Sequence, residues 1–563
     1  MKEIFKTIRQ LIAKEDYASL HHLNIGKPSS FNWVTEVFEG INCREIPEEN
    51  ALIWTDGKES RAYTFVELSK RANQLLNVLR NAGLDQGDII FSQMALLPEN
   101  WITILTAIKG GFRLIPSATI LGVHDIAYRF GRLMPKVAIA DADNAGKIDA
   151  AEALSGNNVH IKIIVNGSRA GWTPFENILT ASSQATPAST KPDDALFLFF
   201  TSGTTGMPKV VTQTHFSYPF GHLTTASWIG IRQGDIHYNI AQPGWAKFAW
   251  SSFFAPWNAG ASVFVFHQSG KFNAAEQLRM IERHRVTTFC SPPTALRMLI
   301  QEDLGKYKFS LRQCVAAGEP LNPEVIEVWK KGTGLTIRDG YGQTETTCLV
   351  ANLPGTVIKF GSMGKPTFLY DIIIADDGGR ELPVHEEGTI AVRTNTTTPN
   401  GVFSEYFGDP EKKKEVFKFD LYYTGDKAYK DDDGYFWFVG RDDDVIKSSD
   451  YRVGPFEVES VLLEHESVLE SAVVGSPHPI KGFEIKAFII VHPNYAPSKG
   501  LADEIFAFAR KNIAPYKSPR IIEFVPELPK TISGKIRRVE LRAREAENKA
   551  KKMVIENEFV YSS

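Results

Sequence analysis

Long apolar runs are missing from this chain of 563 residues. A membrane-crossing helix needs about 20 apolar residues in succession, and no stretch approaches that length, so no membrane span is expected. Cysteine is scarce: the four, at 43, 290, 314 and 348, stand far apart with no CxxC pair. That spacing argues against a zinc site or a disulfide frame, and the four read as small buried hydrophobes in a reducing compartment. An excess of one charge is also absent, since 63 Lys and Arg face 66 Asp and Glu for a net charge of -3. Nucleic acid therefore has no electrostatic claim as the main partner. Internal repeats and long low-complexity segments are absent too. The N-terminus reads as a short amphipathic helix running through Glu15 and Asp16. It lacks the apolar core of a signal peptide and is too acidic for a transit peptide, which makes the cytoplasm the expected location.

What remains is ordinary globular composition, 43% hydrophobic and 23% charged. The length exceeds what one core usually holds, so two or more domains are expected. Helical patterns alternate with short β-rich runs through the first four hundred residues: helix at 67–82 ending on Gly83, strand at 88–91, helix at 101–109, strand at 161–165. This alternation predicts α/β architecture with largely parallel sheets. After about residue 365 the texture turns toward β, with strands at 370–374, 388–393 and 435–439 between Gly/Asp turns. A second shift falls at Gly440-Arg441-Asp442-Asp443-Asp444. Beyond it a helix near Pro455, strands at 470–474, 486–491 and 520–525, and a helix at 501–512 make a small α+β domain. The boundaries read as 1–442 and 443–563. The charged tail from Val539 reads as a solvated helix.

Five segments carry chemistry. The first is Thr201-Ser202-Gly203-Thr204-Thr205-Gly206-Met207-Pro208-Lys209, directly after the apolar run 195–200. Glycines let backbone approach a ligand, hydroxyls and N–H groups hold phosphate oxygens, and the lysine adds charge. It is not a Walker A loop, because Pro208 precedes the lysine and Val210 follows it. The β-branched run 210–215 makes it a connection between two strands. The second, Tyr341-Gly342-Gln343-Thr344-Glu345-Thr346-Thr347, places a carboxylate among hydroxyls, a combination that suits magnesium beside phosphate; alone it would pass for a capped helix start. The third, Tyr423-Thr424-Gly425-Asp426, presents a carboxylate on a turn. The fourth is Gly440-Arg441-Asp442-Asp443-Asp444-Val445-Ile446-Lys447 followed by Tyr451-Arg452-Val453-Gly454-Pro455, and the fifth is Pro529-Lys530-Thr531-Ile532-Ser533-Gly534-Lys535.

Together and in this order the five resemble the adenylate-forming superfamily of acyl-CoA synthetases, luciferases and peptide-synthetase adenylation domains. Pro243-Gly244-Trp245-Ala246-Lys247, Pro256-Trp257-Asn258-Ala259-Gly260, Gly454-Pro455-Phe456-Glu457 and Ala514-Pro515-Tyr516-Lys517 bring it nearest to the medium-chain acyl-CoA synthetase group. The resemblance implies a large N-terminal domain of two α/β layered subdomains and a β-rich subdomain, with a small mobile α+β C-terminal domain. It implies an ATP-dependent ligase: a medium-chain, branched or aryl carboxylic acid becomes an acyl-adenylate with release of pyrophosphate, and coenzyme A then displaces AMP. By the same analogy, residues 201–209 cover the β- and γ-phosphates. Gly318, Glu319 and Pro320 line the adenine, with Tyr341 stacking on it and Gly342 and Gln343 beside it. Thr344 meets the α-phosphate, Glu345 holds magnesium, and Asp426 binds the ribose with Arg441. Lys535 bridges the substrate carboxylate and the α-phosphate. Asp443 matches the hinge residue, and Arg452, Lys481 and Lys517 match positions that meet coenzyme A.

Acetate-specific relatives carry tryptophan where this chain has Gly342, so the resemblance implies an open pocket for a longer acid, with Trp245 as a wall. One departure stands out: Asp450 occupies the place of a glycine near the pantetheine path. It keeps open an alternative in which the acyl group passes to a carrier-protein pantetheine or another acceptor.

Overall fold

The computed structural model describes residues 1–561 except 24, 202–207, 396–397, 449–450, 480–481 and 531–534. Two large sheets form its centre. One has nine strands, whose middle (Asn50–Thr55, Ser262–Phe266, Ile236–Asn239, Thr288–Ser291, Gln313–Ala316, Ile337–Gly342) is parallel throughout. The other has eight strands, with Ile89–Gln93 flanked in parallel by Arg113–Ser117 and Val137–Asp141. Helices pack over both. The helix expected at 67–82 is Phe65–Asn81, fixed at its start by a capping box in which Thr64 and Glu67 each satisfy the other's backbone N–H. The helix expected at 101–109 is Glu99–Gly110, ended by Gly111 at φ 67°.

Between the two sheets lies an aromatic core. Trp33 stands edge-on to Phe254 at 5.2 Å, and Trp257 packs on Phe253 at 4.7 Å. These rings are buried, and their burial of large apolar area is the main force joining the two layers. A third, antiparallel sheet of five strands holds Ile372–Ala375, Gly388–Arg393, Leu421–Lys430 and Phe436–Arg441, in agreement with the β-rich texture after residue 365.

The fourth sheet is built only from residues after Val445 and has its own core around Val458, Ile489 and Phe506. Two expectations need correction. The N-terminal helix Lys2–Ala13 stops short of Glu15, whose φ of 57° breaks it, and Asp16 caps a separate helix, Tyr17–His21. The tail helix Arg538–Ala550 is not simply solvated: Leu541 and Glu545 are buried, and the following strand Glu558–Val560 joins the sheet.

The reason is a buried charge cluster that periodicity does not reveal. Lys486, fully buried on Gly482–Val491, reaches Glu523 at 2.7 Å, Glu545 at 2.5 Å and also Glu558. Ser476 donates to Glu545 at 2.6 Å, and Arg544 and Lys549 balance the remaining charge. Desolvation works against the ammonium, yet hydrogen bonds to the three carboxylates outweigh it and raise its pKa. Three strands and the last helix are thereby tied to one atom. Breaking such a cluster by removing one partner costs about 3–5 kcal/mol. Lys486→Met is therefore expected to lower the unfolding temperature of the C-terminal domain clearly in calorimetry; an unchanged transition would mean the cluster contributes nothing.

Candidate active site

Ligands of open α/β sheets bind beyond the carboxyl ends of the strands. Here a cavity of about 980 Å³ opens at that edge, beyond the strands ending at Asn239, Ser291, Ala316 and Gly342. The third sheet supplies Asp426 and Arg441 to its wall, and the C-terminal domain supplies Lys535. Of the residues singled out in sequence, Thr201, Lys209, Trp245, Gly318, Glu319, Pro320, Tyr341, Gly342, Gln343, Thr344, Glu345, Asp426, Arg441, Asp443 and Lys535 all line this one space. Ser202, Gly203, Thr204, Thr205, Gly206, Lys481 and Asp450 lie outside the described residues. Arg452 and Lys517 are not among the lining residues; Lys517 pairs with Glu457 at 2.6 Å instead.

The loop after Thr201 does connect two strands, Ala195–Thr201 and Lys209–Thr214, which pair antiparallel with Thr201 opposite Lys209. Lys209 meets Glu345 at 2.7 Å and donates to the Tyr406 hydroxyl at 2.9 Å. Tyr406 in turn donates to Glu345 at 3.1 Å, and burial together with Glu345 raises its pKa. Among the described residues the buried Thr201 hydroxyl has no hydrogen-bond partner, an unmet donor at the mouth of the loop. No helix follows Glu345; the Phe403 backbone N–H holds its carbonyl at 2.7 Å, so the segment is a braced turn.

Asp426 is buried and accepts from the Tyr341 hydroxyl at 2.5 Å and from Gln343 at 2.6 Å. Burial raises its pKa, while Arg441, those two donors and Lys535 oppose the shift. Gln343 is itself fixed by Tyr422, which donates to its carbonyl oxygen at 2.9 Å. Glu319 accepts from Thr294 at 2.8 Å and pairs with Arg297 at 3.3 Å, beside Gly318 at φ 105°. Lys535 keeps surface open to the cavity. The surrounding protein strips bulk water from it and lowers its pKa, opposed by Glu319, Asp426 and Glu345. Asp443 lies in the turn between Phe436–Arg441 and Ile446–Ser448, with its carboxylate 3.5 Å from Arg441.

Residues 41–407 match the family described as AMP-binding enzyme, and residues 457–535 match the AMP-binding enzyme C-terminal domain. The chain belongs to the AMP-binding enzyme family. This AMP-binding enzyme is 50% identical over 536 residues to the 4-hydroxybutyrate–CoA ligase 1 of Metallosphaera sedula, covering 94% of this chain and 93% of that protein. It is 43% identical to the mitochondrial acyl-coenzyme A synthetase ACSM3 of Rattus norvegicus, covering 96% of both. Its fold superposes with a TM-score of 0.84 on the anthranilate CoA ligase AuaEII solved with anthranoyl-AMP, at 31% identity over 93% of this chain and 99% of that one. The AMP-binding enzyme is accordingly an AMP-forming acid–thiol ligase whose partners are ATP, a carboxylic acid and coenzyme A. Among the described residues no helix is long and apolar enough to cross a membrane.

The sequence reading missed Tyr406, Tyr422 and Trp250, all of which line the cavity. Tyr406 is 61 positions from Glu345 and lies on a two-residue strand, so nothing local marks it. Trp250 changes the meaning of Gly342. A Cβ on that glycine would meet the Thr347 carbonyl oxygen at 2.2 Å and the Trp250 ring at 2.5 Å. This backbone thus leaves no room for a side chain at Gly342, and Trp250 lines the cavity beside it. Gly342→Ala must push the turn bearing Thr344, and misplacement of about 1 Å at reacting groups costs on the order of 100-fold. The expected result is a loss of that order in pyrophosphate release with every acid. Loss confined to long acids would mean the glycine serves only pocket size.

Proposed function

We propose that this AMP-binding enzyme activates a carboxylic acid longer than acetate at the cavity described above, in two steps that use different placements of its C-terminal domain. The observation that carries the reading is the convergence of cations and carboxylates from three sheets and the C-terminal domain on one crevice. Residues 1–442 form the adenylating domain and 443–563 the mobile one.

In the first step the acid's carboxylate oxygen attacks the α-phosphorus of ATP, and pyrophosphate leaves. Both reactants are anionic, so their approach needs positive charge fixed at the reacting centre. Lys535, on the cavity wall, supplies it. Thr201, Lys209 and the loop between them hold the β- and γ-phosphates. Thr344 contacts the α-phosphate, Asp426 binds the ribose hydroxyls with Arg441, and residues 318–320 and 341–343 enclose the adenine. Glu345 beside Thr344 is the kind of oxygen donor set that magnesium takes. The ion would be held there and would neutralise phosphate charge.

In the second step the thiolate of coenzyme A attacks the acyl carbon and AMP leaves. Rotation about Asp443 withdraws Lys535 and brings up the side bearing Arg452, a hinge motion of a known kind; Lys481 and Lys517 join it in holding coenzyme A. Trp245, Gly342 and Trp250 bound the acyl chain. The widely spaced free cysteines suit a reducing compartment such as the cytoplasm.

Lys535→Ala separates the two steps. Loss of a preorganised charge of this sort costs about 100- to 1,000-fold. Adenylate formation is expected to fall by that much, with thioester formation from supplied acyl-adenylate far less affected. An equal fall in both would remove Lys535 from the first step.

A further inference from the structure

Gln213 is an amide where the fold calls for a hydrocarbon. It lies on Lys209–Thr214, the strand that leaves the phosphate loop, where side chains alternate between the two faces of the sheet. Val210 packs on one face and Val211 into the aromatic core on the other, so Lys209 and Gln213 share the face of Val211. On the neighbouring strand Phe199 stands opposite Val211 and Phe197 opposite Gln213, and all four side chains are buried. Burying an amide among such neighbours is costly unless its polar atoms are used. The Gln213 Nε2 donates to the Thr344 carbonyl at 2.9 Å. Among the described residues its Oε1 has no hydrogen-bond partner. An apolar side chain would avoid that unmet acceptor, so the N–H bond is what the amide contributes here.

The turn that receives this bond carries the groups of the first step. Thr346 closes it, its Oγ1 accepting from the Gln343 N–H at 2.9 Å. Lys209 meets the Glu345 carboxylate, and Gln213, four residues along the same strand, holds the carbonyl of Thr344. A single strand of a large sheet thus grips the turn at two points. We infer that Gln213 is a positioning residue of adenylate formation: through the Thr344 carbonyl it fixes the Thr344 hydroxyl against the α-phosphate. Lys209 on the same strand serves the far end of the triphosphate, so one rigid element sets the spacing of both. The inference rests on the role proposed above for Thr344.

The test uses the full chain and reads ATP–pyrophosphate exchange at saturating acid. Gln213→Met keeps the length of the side chain and removes the donor. It should lower kcat by about 10- to 100-fold, since misplacing a reacting group by about 1 Å costs on that order. The KM for ATP should stay nearly unchanged, as for an interaction made in the transition state. Gln213→His presents a ring N–H the same number of bonds from the backbone and should recover most of the rate. Thr344→Val and the double variant complete a cycle. Because Gln213 acts through Thr344, the double variant should be no slower than Thr344→Val alone. Losses that multiply in the double variant would overturn the inference. So would a native kcat in Gln213→Met, a loss carried wholly by KM, or no recovery in Gln213→His. If Gln213→Met does not fold, Gln213→Asn, which draws the donor back by one bond, takes its place in the cycle with the same expectations. Failure of the Thr344 reading would show separately, as Thr344→Val exchanging pyrophosphate at the native rate, and would remove the inference with it.

Discussion

Bringing one anion against another is the constraint around which this molecule is organised. A carboxylate and a triphosphate repel, and water screens that repulsion only while it stays. Once the crevice encloses them, fixed cations must replace the solvent. The chain meets this by drawing charge from separate elements to the carboxyl edge of its sheets. Lys209 comes from one large sheet and Arg441 from the antiparallel sheet, while Lys535 comes from the C-terminal domain. Counter-carboxylates hold them apart: Glu345 pairs with Lys209, and Asp426 and Glu319 act on Lys535. A chain with a net charge of only -3 can therefore carry intense local fields where the chemistry needs them.

The same division of labour explains the aromatic and tyrosine frame around the site. Tyr406 spans Lys209 and Glu345, Tyr341 pins Asp426, and Tyr422 pins Gln343. Tyr406 and Tyr422 are buried in the core and Tyr341 packs half-buried against it, so the charged groups are oriented by elements that cannot easily move. The C-terminal domain is held together differently, through Lys486 and its three glutamates. Its rigidity matters in the proposed account, because a domain that swings about Asp443 must carry Lys535 as part of one body.

Much of the fold was legible because periodicity and caps are local. Phe65–Asn81, Ile161–Val165 and Gly388–Arg393 lie where pattern and turn residues put them. The candidate site was legible through the order of five motifs, and fifteen of the residues singled out in sequence, eleven of them from those motifs, line one cavity. What stayed hidden depends on contacts distant in sequence. The burial of Glu545 is set by Lys486, 59 positions away, so its helix looked solvated. Trp250 lines the cavity beside Gly342 from another element, which no reading of the Tyr341–Gln343 segment could reveal.

The most direct measurement is rapid-quench analysis of enzyme with ATP, magnesium and acid before and after coenzyme A is added. The account predicts a burst of about one pyrophosphate per active site without coenzyme A, as expected when a first product is formed and a bound intermediate accumulates. On addition, AMP and thioester should then appear together in steady turnover. Release of ADP and phosphate, or no pyrophosphate until coenzyme A arrives, would contradict an adenylate formed at this crevice.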